Sequence, residues 1–355
     1  MGYNKIQGHI QVLLQPSEHN TVHNSPIIPG FFLYKQELIL EKVGIYVDYR
    51  ILRMMINLIP LGDTSKLFIK DLTFEKMNVR IYQPKVPSAS LRRGVIYCHG
   101  GIGSFSIYKH VNIHSYVYTH IVERTSVQGA SLYYPATPYS SGGTIAAAVC
   151  QALVNRTDLP RVRAQILIYP FLQAVDFNLP SYQQNGRIPP LLRKRTLHLG
   201  LKYVNRDVSL VDGLLKGIHI RDDLREKYSK WLSPNNIPNE FKIRGYEPPK
   251  LFPCVEEYCT KAQPFLTLIF SPLLSEDNVI CQQPESFILT CEYDVLRDDG
   301  LLYKKRLEDN GVKVTWCHLK DGFHGVVSVA NCGRFISFEA GLRGIDTIAK
   351  FIRSL

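Results

Sequence analysis

Several features that would place this 355-residue chain in a simple class are missing from its sequence. None of its eight cysteines forms a CxxC pair, which argues against a structural zinc site or a thioredoxin-type motif. No run of about 20 nearly uncharged apolar residues is present, so no membrane span is predicted. The first fifteen residues also lack the compact apolar core of a signal peptide.

The chain carries an excess of positive charge, but the basic residues are not concentrated in one part of the sequence. Its formal net charge is +11, yet the lysines and arginines are scattered, and no nucleic-acid-binding arm is formed. We therefore interpret the basic residues as an ordinary solvated surface. The more specific alternative is that they weakly attract the chain to an anionic membrane surface. Hydrophobic residues make up 45% of the chain, which is enough for a sizeable core and excludes a disordered or collagenous protein.

The pattern of apolar residues predicts strands alternating with helices, which favours a mostly parallel sheet with helices on both faces. Strands are predicted at 66–74, 79–82, 94–98, 130–134, 164–170, 285–291 and 312–319, and helices at 34–59, 114–125, 142–154, 296–310 and 338–355. The stretch between the two halves of this pattern is rich in charges and prolines and is predicted to be an inserted helical cap. The predicted organisation is a lead or cap segment at 1–65, core at 66–173, cap at 174–265 and core at 266–355.

Four short motifs follow predicted strands or open a predicted helix. His99-Gly100-Gly101 follows the strand at 94–98, and Ser140-Ser141-Gly142-Gly143 opens an alanine-rich helix. Asp294 and His324 each follow a later strand within a few residues. Open α/β sheets bind ligands at the carboxyl ends of their strands. The chain order Ser, Asp, His is that of the α/β-hydrolase triad.

These motifs resemble those of arylacetamide deacetylase-like proteins, which are α/β-hydrolases of the hormone-sensitive-lipase type. His99-Gly100-Gly101 resembles the HGGG oxyanion loop of that family, and the serine motif resembles the second half of its GDSxGG elbow. Asp294-Val-Leu-Arg-Asp298 and Asp321-Gly-Phe-His-Gly325 are similar to its acid and histidine motifs. The resemblance extends over most of residues 66–355.

The resemblance implies a role for each matching residue. Ser140 would be the nucleophile, His324 its general base, and Asp294 the group that orients the imidazole. The oxyanion donors would be the backbone N–H groups of Gly100, Gly101 and Ser141. His99, Gly142 and Gly143 would support these motifs.

The resemblance also implies a function and a location. The expected activity is that of a serine esterase, deacetylase or lipase acting through an acyl-enzyme on small or lipophilic esters or acetamides. No cofactor and no metal are expected, because the serine mechanism needs neither. The resemblance also implies a role in lipid metabolism and a location at the endoplasmic-reticulum membrane or lumen. Peripheral membrane contact is an expectation from the net positive charge.

Three departures from the family pattern accompany the resemblance. Pro138 and Tyr139 stand where the elbow has Gly-Asp, and Ile102 stands where the oxyanion loop has its third glycine. The 41 positions from His99 to Ser140 hold one predicted helix and one predicted strand. Because each parallel crossover takes a dozen or more residues, we predict a shortened form that lacks one strand–helix unit.

The departures leave alternatives open. Ser141 could be the nucleophile, although the full Ser-x-Gly-Gly pattern is met only from Ser140. The chain could be a catalytically impaired member that binds a lipophilic ligand or a protein partner, or its shortened sheet could fail to fold stably.

Two further expectations concern the cap. Cys254 and Cys259 could pair. Four apolar cap residues are candidate pocket walls: Phe32, Leu201, Trp231 and Phe252.

Overall fold

The computed structural model describes residues 65–74, 77–87, 94–98, 128–133, 141–159, 161–203, 206–330 and 337–355. Nearly all of the predicted lead segment at 1–65 lies outside these residues, as do the predicted helices at 34–59 and 114–125.

The strands and helices follow the predicted alternation closely. The strands are β1 (Leu67–Phe74), β2 (Met77–Pro84), β3 (Gly94–Cys98), β4 (Gln128–Tyr133), β5 (Ala164–Ile168), β6 (Glu285–Tyr293) and β7 (Val314–Phe323). The core helices are α1 (Ser141–Ala152), α8 (Arg297–Asp309) and α9 (Glu339–Ser354). Shorter helices between β5 and β6 are α2 (Pro180–Gln184), α3 (Arg193–Tyr203), α4 (Val211–Lys216), α5 (Asp222–Leu232), α6 (Glu256–Ala262) and α7 (Asp277–Ile280).

The strands form two sheets. One has the order β1-β2-β4-β3, with β3 and β4 parallel and the other pairs antiparallel; the second, β5-β6-β7, is parallel throughout. Within the described ranges no ladder joins β3 to β5. Only residues 134–140 separate β4 from α1, too few for a helical crossover and a further strand. This spacing agrees with the predicted loss of one strand–helix unit.

The core lies on both faces of the second sheet. Residues Ser286 to Cys291 of β6 are all buried, as expected for a central parallel strand covered on both sides. One apolar cluster joins α1, α8 and the helices of the 174–265 segment, and another joins the sheet to α9. Val95 of β3 packs against the second cluster, so side chains connect the two sheets.

Two predictions about cysteines and membranes can be compared with the described residues. Cys254 and Cys259 are free thiols in the structure, so they do not form a disulfide there. Burial raises the pKa of the Cys259 thiol, and a hydrogen bond between the two thiols raises it further. Among the described helices, none has the length and apolar character needed to cross a membrane.

Candidate active site

Asp294 lies immediately after β6 and is completely buried. Its Oδ2 is 2.8 Å from Nδ1 of His324, and its Oδ1 accepts a hydrogen bond of 2.9 Å from the backbone N–H of Leu296. Both carboxylate oxygens therefore have fixed partners. The predicted pairing of the acid with the histidine is present in the structure.

His324 lies immediately after β7, next to β6, and its side chain is almost completely buried. Gly325, which follows it, has a φ of +89°, a conformation that favours glycine, so the chain turns sharply there. Because Nδ1 is bonded to Asp294, Nε2 is the ring nitrogen left for proton transfer. Parallel pairing of β6 with β7 thus brings together two motifs that are 30 residues apart.

The first turn of α1 carries Ser141, Gly142 and Gly143, and the two glycines are buried. A Cβ added to Gly143 would lie 2.6 Å from Cβ of Pro170, a distance that real Cβ atoms do not adopt. The helix can pack this closely on the end of β5 only because residue 143 is glycine. Close helix–sheet packing therefore accounts for glycine at this position, and its support of the serine motif stays a prediction.

Tyr169 and Pro170 connect this helix to the histidine. The buried Tyr169 ring has its centroid 4.9 Å from that of the His324 imidazole, while Pro170 contacts Gly143. Tyr169 also has a φ of +36°, in the left-handed region that side chains disfavour. Backbone strain of this kind clusters at functional sites.

The structure therefore groups Asp294 and His324 near the start of α1, where Ser141 lies. Ser140, His99, Gly100 and Gly101 lie outside the described residues. Sequence reasoning missed Tyr169, and its only visible signal is its position at the end of a predicted strand.

An apolar pocket opens beside the start of α1, between that helix and the 174–265 segment. It is lined by Ser141, Thr144, Ile145, Phe171, Ala174, Phe177, Thr196, Leu197, Gly200, Leu214, Phe265, Ile269 and Phe270. Of the predicted wall residues, Leu201 and Trp231 are buried in the core instead, and Phe252 is not among the lining residues. Phe32 lies outside the described residues. None of the three described residues lines this pocket. For Leu201 and Trp231, which lie on helices, the reason is that apolar character alone does not show which face of a helix borders a cavity.

A buried cluster of charges lies behind Asp294. The fully buried Arg297 donates to Glu292 at 3.0 Å and to Asp298 at 2.9 Å. Burial alone would raise the pKa of Glu292, but a hydrogen bond from His318 and the charges of Arg297 and Arg244 outweigh it and lower that pKa. Every charged group named here has a partner of opposite charge or a hydrogen-bond partner, as a buried cluster requires.

Asp298 and Asp299 lie in the first turn of α8, as predicted, but they are fully buried and make specific contacts beyond the helix. Asp298 accepts a hydrogen bond of 2.6 Å from the backbone N–H of Ser181. Asp299 accepts hydrogen bonds from the backbone N–H of Leu172 and from the side chain of Gln173. Asp298 and Asp299 thus do more than place negative charge at the helix N-terminus, because they also fasten α8 to the segment after β5.

Burial raises the pKa of Asp299 to about 7, although the hydrogen bonds from Leu172, Gln173 and Tyr182 oppose the rise. The folded protein keeps a proton on Asp299 that an unfolded aspartate releases near pH 4. This group should therefore lower the free energy of unfolding by about 1.4 kcal/mol per pH unit as pH rises from 4 towards 7, with no further change above that range.

We expect Asp299→Asn to remove that contribution. Urea unfolding between pH 5 and 8 should show a shallower fall in stability for the variant than for the wild type. Asp309→Asn, an exposed change on the same helix, controls for the altered net charge. Parallel stability curves for Asp299→Asn and the wild type would contradict the expectation.

Comparisons with known proteins show the family and the fold of this chain. A family model described as alpha/beta hydrolase fold matches residues 139–216 and 242–328. The chain is 38% identical to human arylacetamide deacetylase-like 4, over 91% of this chain and 88% of that protein. This chain belongs to the arylacetamide deacetylase family of α/β-hydrolases. Mouse arylacetamide deacetylase is 32% identical to it, over 78% of this chain and 79% of the relative.

Solved structures show the fold of the family independently. A thermostable esterase from Pseudomonas putida superposes with a TM-score of 0.60 over 94% of this chain and 98% of its own, at 16% sequence identity. The family resemblance predicted from the motifs is thus confirmed, and so is the α/β-hydrolase fold.

The alignment with the human relative also bears on chain length. It spans 361 positions, whereas 91% of the 355-residue chain is about 323 residues, so about 38 positions of the relative have no counterpart here. This difference in length agrees with a shortened form of the family member. That the missing part is one strand–helix unit stays a prediction.

Metal binding has no visible basis in the parts of the chain that the structure describes. Nowhere in those parts do three or more His, Cys, Asp or Glu side chains form a group that could hold a metal ion.

Proposed function

We propose that this chain is a serine carboxylic-ester hydrolase that acts through an acyl-enzyme on small or lipophilic esters or acetamides. The observation that carries the proposal is the buried contact of 2.8 Å between Asp294 and Nδ1 of His324, close to the start of α1. A carboxylate on Nδ1 holds the tautomer in which Nε2 can accept a proton. Ser140, one residue before α1, is the proposed nucleophile.

The proposed reaction follows from these roles. His324 takes the hydroxyl proton of Ser140 as the oxygen attacks the ester carbonyl, and Asp294 stabilises the imidazolium that forms. His324 then returns the proton to the leaving alcohol or amine. In the second half, His324 takes a proton from water as the water oxygen attacks the acyl carbonyl. It then gives that proton to the Ser140 oxygen as the bond to the acyl group breaks and the carboxylic acid leaves.

Backbone N–H groups supply the proposed oxyanion site. Ser141 is the first residue of α1, so its N–H group lies at the helix N-terminus, where backbone donors are directed along the helix axis. The positive end of the helix dipole adds to their effect on a developing oxyanion. Gly100 and Gly101 are the proposed additional donors.

Fluorophosphonate labelling of the folded protein tests the proposal. The probe should modify Ser140, and fragment-ion mass spectrometry of the labelled peptide separates Ser140 from Ser141. Ser140→Ala should abolish the label. A protein that melts cooperatively and yet takes up no label would overturn the hydrolase proposal.

The pocket favours an apolar acyl or alcohol group as the part of the substrate that is buried. Its lining is aliphatic and aromatic apart from Ser141 and two threonines, and it borders the start of α1. A polar substrate group would lose its hydration there without recovering hydrogen bonds. The proposed substrates are therefore lipophilic.

Gly200 on α3 lines this pocket, and a Cβ added there would lie 3.6 Å from the Phe265 ring. We expect Gly200→Leu to fill pocket volume and lower kcat/KM for p-nitrophenyl octanoate by about 10- to 200-fold. The value for p-nitrophenyl acetate should change little. Lys202→Leu adds the same side chain on the exposed face of the same helix and serves as the control. Equal losses of kcat/KM for both esters would show that the pocket does not bind the octanoyl chain of the substrate.

A second candidate function is binding without catalysis. Pro138 and Tyr139 in place of Gly-Asp, together with the shortened connection, favour this alternative. The apolar pocket would then hold a lipophilic ligand, or the chain would bind a protein partner. A rise in melting temperature with a fatty-acyl ether, in a protein that takes up no fluorophosphonate, would support the ligand-binding form of this alternative.

Location at the endoplasmic-reticulum membrane or lumen, with peripheral membrane contact, is proposed from the family and from the net charge of +11. Flotation with vesicles containing phosphatidylserine, compared with neutral vesicles, tests the electrostatic part of this proposal.

A further inference from the structure

Asn185 follows α2 and is completely buried, with its side chain directed towards the end of β6. Its Nδ2 donates to the backbone carbonyl of Glu292 at 3.0 Å and to that of Asp294 at 2.8 Å. One amide therefore bridges the carbonyl groups on either side of residue 293. These contacts join residues more than 100 positions apart in the chain.

Arg244 fixes this amide from the other side. Its Nη2 donates to Oδ1 of Asn185 at 3.1 Å and to the carbonyl of Glu292 at 3.0 Å, while its Nε donates to Oε1 of Glu292 at 2.9 Å. The guanidinium can only donate, so the amide oxygen must face it and the amide nitrogen must face the two carbonyls. Asn185 and Arg244 form what we call the cap clamp, since both belong to the 174–265 segment.

The cap clamp acts on the residue that holds the histidine. The side-chain oxygens of Asp294 are already fixed by His324 and by the N–H of Leu296. Its backbone carbonyl is fixed by Asn185. Without that bond the end of β6 could shift, and a displacement of about 1 Å at a catalytic group can cost about 100-fold in rate.

We propose that Asn185 and Arg244 are positioning residues, which hold the backbone of residues 292–294 so that the Asp294 carboxylate stays aligned with Nδ1 of His324. This inference rests on the hydrolase function proposed above. Neither residue needs to touch the substrate. The 174–265 segment would then support the triad as well as cover the pocket.

Asn185→Leu tests the proposal, because leucine keeps the shape and neutrality of asparagine but cannot donate. We expect kcat for p-nitrophenyl butyrate to fall by about 10- to 100-fold with KM within about twofold. A less well aligned carboxylate stabilises the imidazolium less, so the acidic limb of the kcat/KM profile should move to lower pH.

The matched control is Asn236→Leu. Asn236 also bridges two backbone carbonyls within the cap, those of Lys230 and Trp231. Its side-chain hydrogen bonds do not reach residues 292–294. A merely structural role for Asn185 predicts a lower melting temperature with kcat and the acidic limb as in the control, and that result would overturn the proposal. If Asn185→Leu does not fold, Arg244→Met takes its place, with the same expected fall in kcat and shift of the acidic limb.

A readout without turnover separates this inference from the hydrolase proposal. Proton NMR of the wild type should show a downfield imidazole N–H signal from the His324–Asp294 bond, assigned by its absence in His324→Ala. If the wild type takes up no fluorophosphonate, the hydrolase proposal fails and the NMR signal decides alone. Loss or displacement of the signal in Asn185→Leu, but not in Asn236→Leu, would support the clamp, and an unchanged signal would overturn it.

Discussion

Replacing Asp294 with asparagine is expected to lower kcat by about 10⁴-fold while the protein stays folded. The buried carboxylate accepts a hydrogen bond from Nδ1 of His324 at 2.8 Å. An asparagine amide that turns its NH₂ group towards Nδ1 would force the ring proton onto Nε2. The imidazole could then no longer accept the proton of the serine hydroxyl.

Ester hydrolysis by the purified variant measures this effect, with the wild type beside it and p-nitrophenyl butyrate as substrate. Asp309→Asn is the matched control, since it makes the same chemical change on the helix that follows Asp294, at an exposed position paired with Lys305. Activity of Asp294→Asn within tenfold of the wild type would show that this carboxylate does not orient the base.

The second large effect concerns stability. Arg297→Met should lower the free energy of unfolding by about 3–5 kcal/mol, because it leaves buried carboxylates without their cation. Arg297 is fully buried, bonded to Asp298 and Glu292, and it also donates to the backbone carbonyl of Phe241 at 2.8 Å. Methionine supplies comparable apolar volume but no donor.

Urea unfolding at pH 7.5 measures the loss, and Arg343→Met provides the comparison. Arg343 pairs with Asp321 at 2.6 Å, but both side chains are half exposed, so removal of that pair should cost no more than about 1 kcal/mol. Two variants of equal stability would show that the buried cluster contributes no more than a surface ion pair.

Much of the central fold could be predicted because buried parallel strands leave a plain signal. The apolar run predicted at 285–291 is part of β6, which extends to Tyr293, and the run at 312–319 corresponds to β7, which extends to Phe323. Both strands are longer than their apolar runs because ladder hydrogen bonds continue where the residues become polar. These extensions end directly before Asp294 and His324.

The pairing of acid and base was predictable for the same reason, since neighbouring parallel strands bring their carboxyl ends to one edge. The polar contacts behind them were not. Asn185 and Arg244 lie in an irregular segment without apolar periodicity, and their partners near residue 292 are far away in the chain. Single polar residues carry no sequence signal for such contacts until the chain is folded.

At Tyr169 the requirement for a relaxed backbone and the requirement for side-chain packing favour different residues. Its left-handed backbone conformation costs a side-chain-bearing residue about 1–2 kcal/mol, a cost that glycine would avoid. Glycine would also remove the ring that packs on the imidazole of His324. At this bend, therefore, the residue that would give the most relaxed backbone differs from the one that packs against the proposed base. The sequence has tyrosine at this position, so the backbone is strained and the space beside the His324 imidazole is filled by the ring.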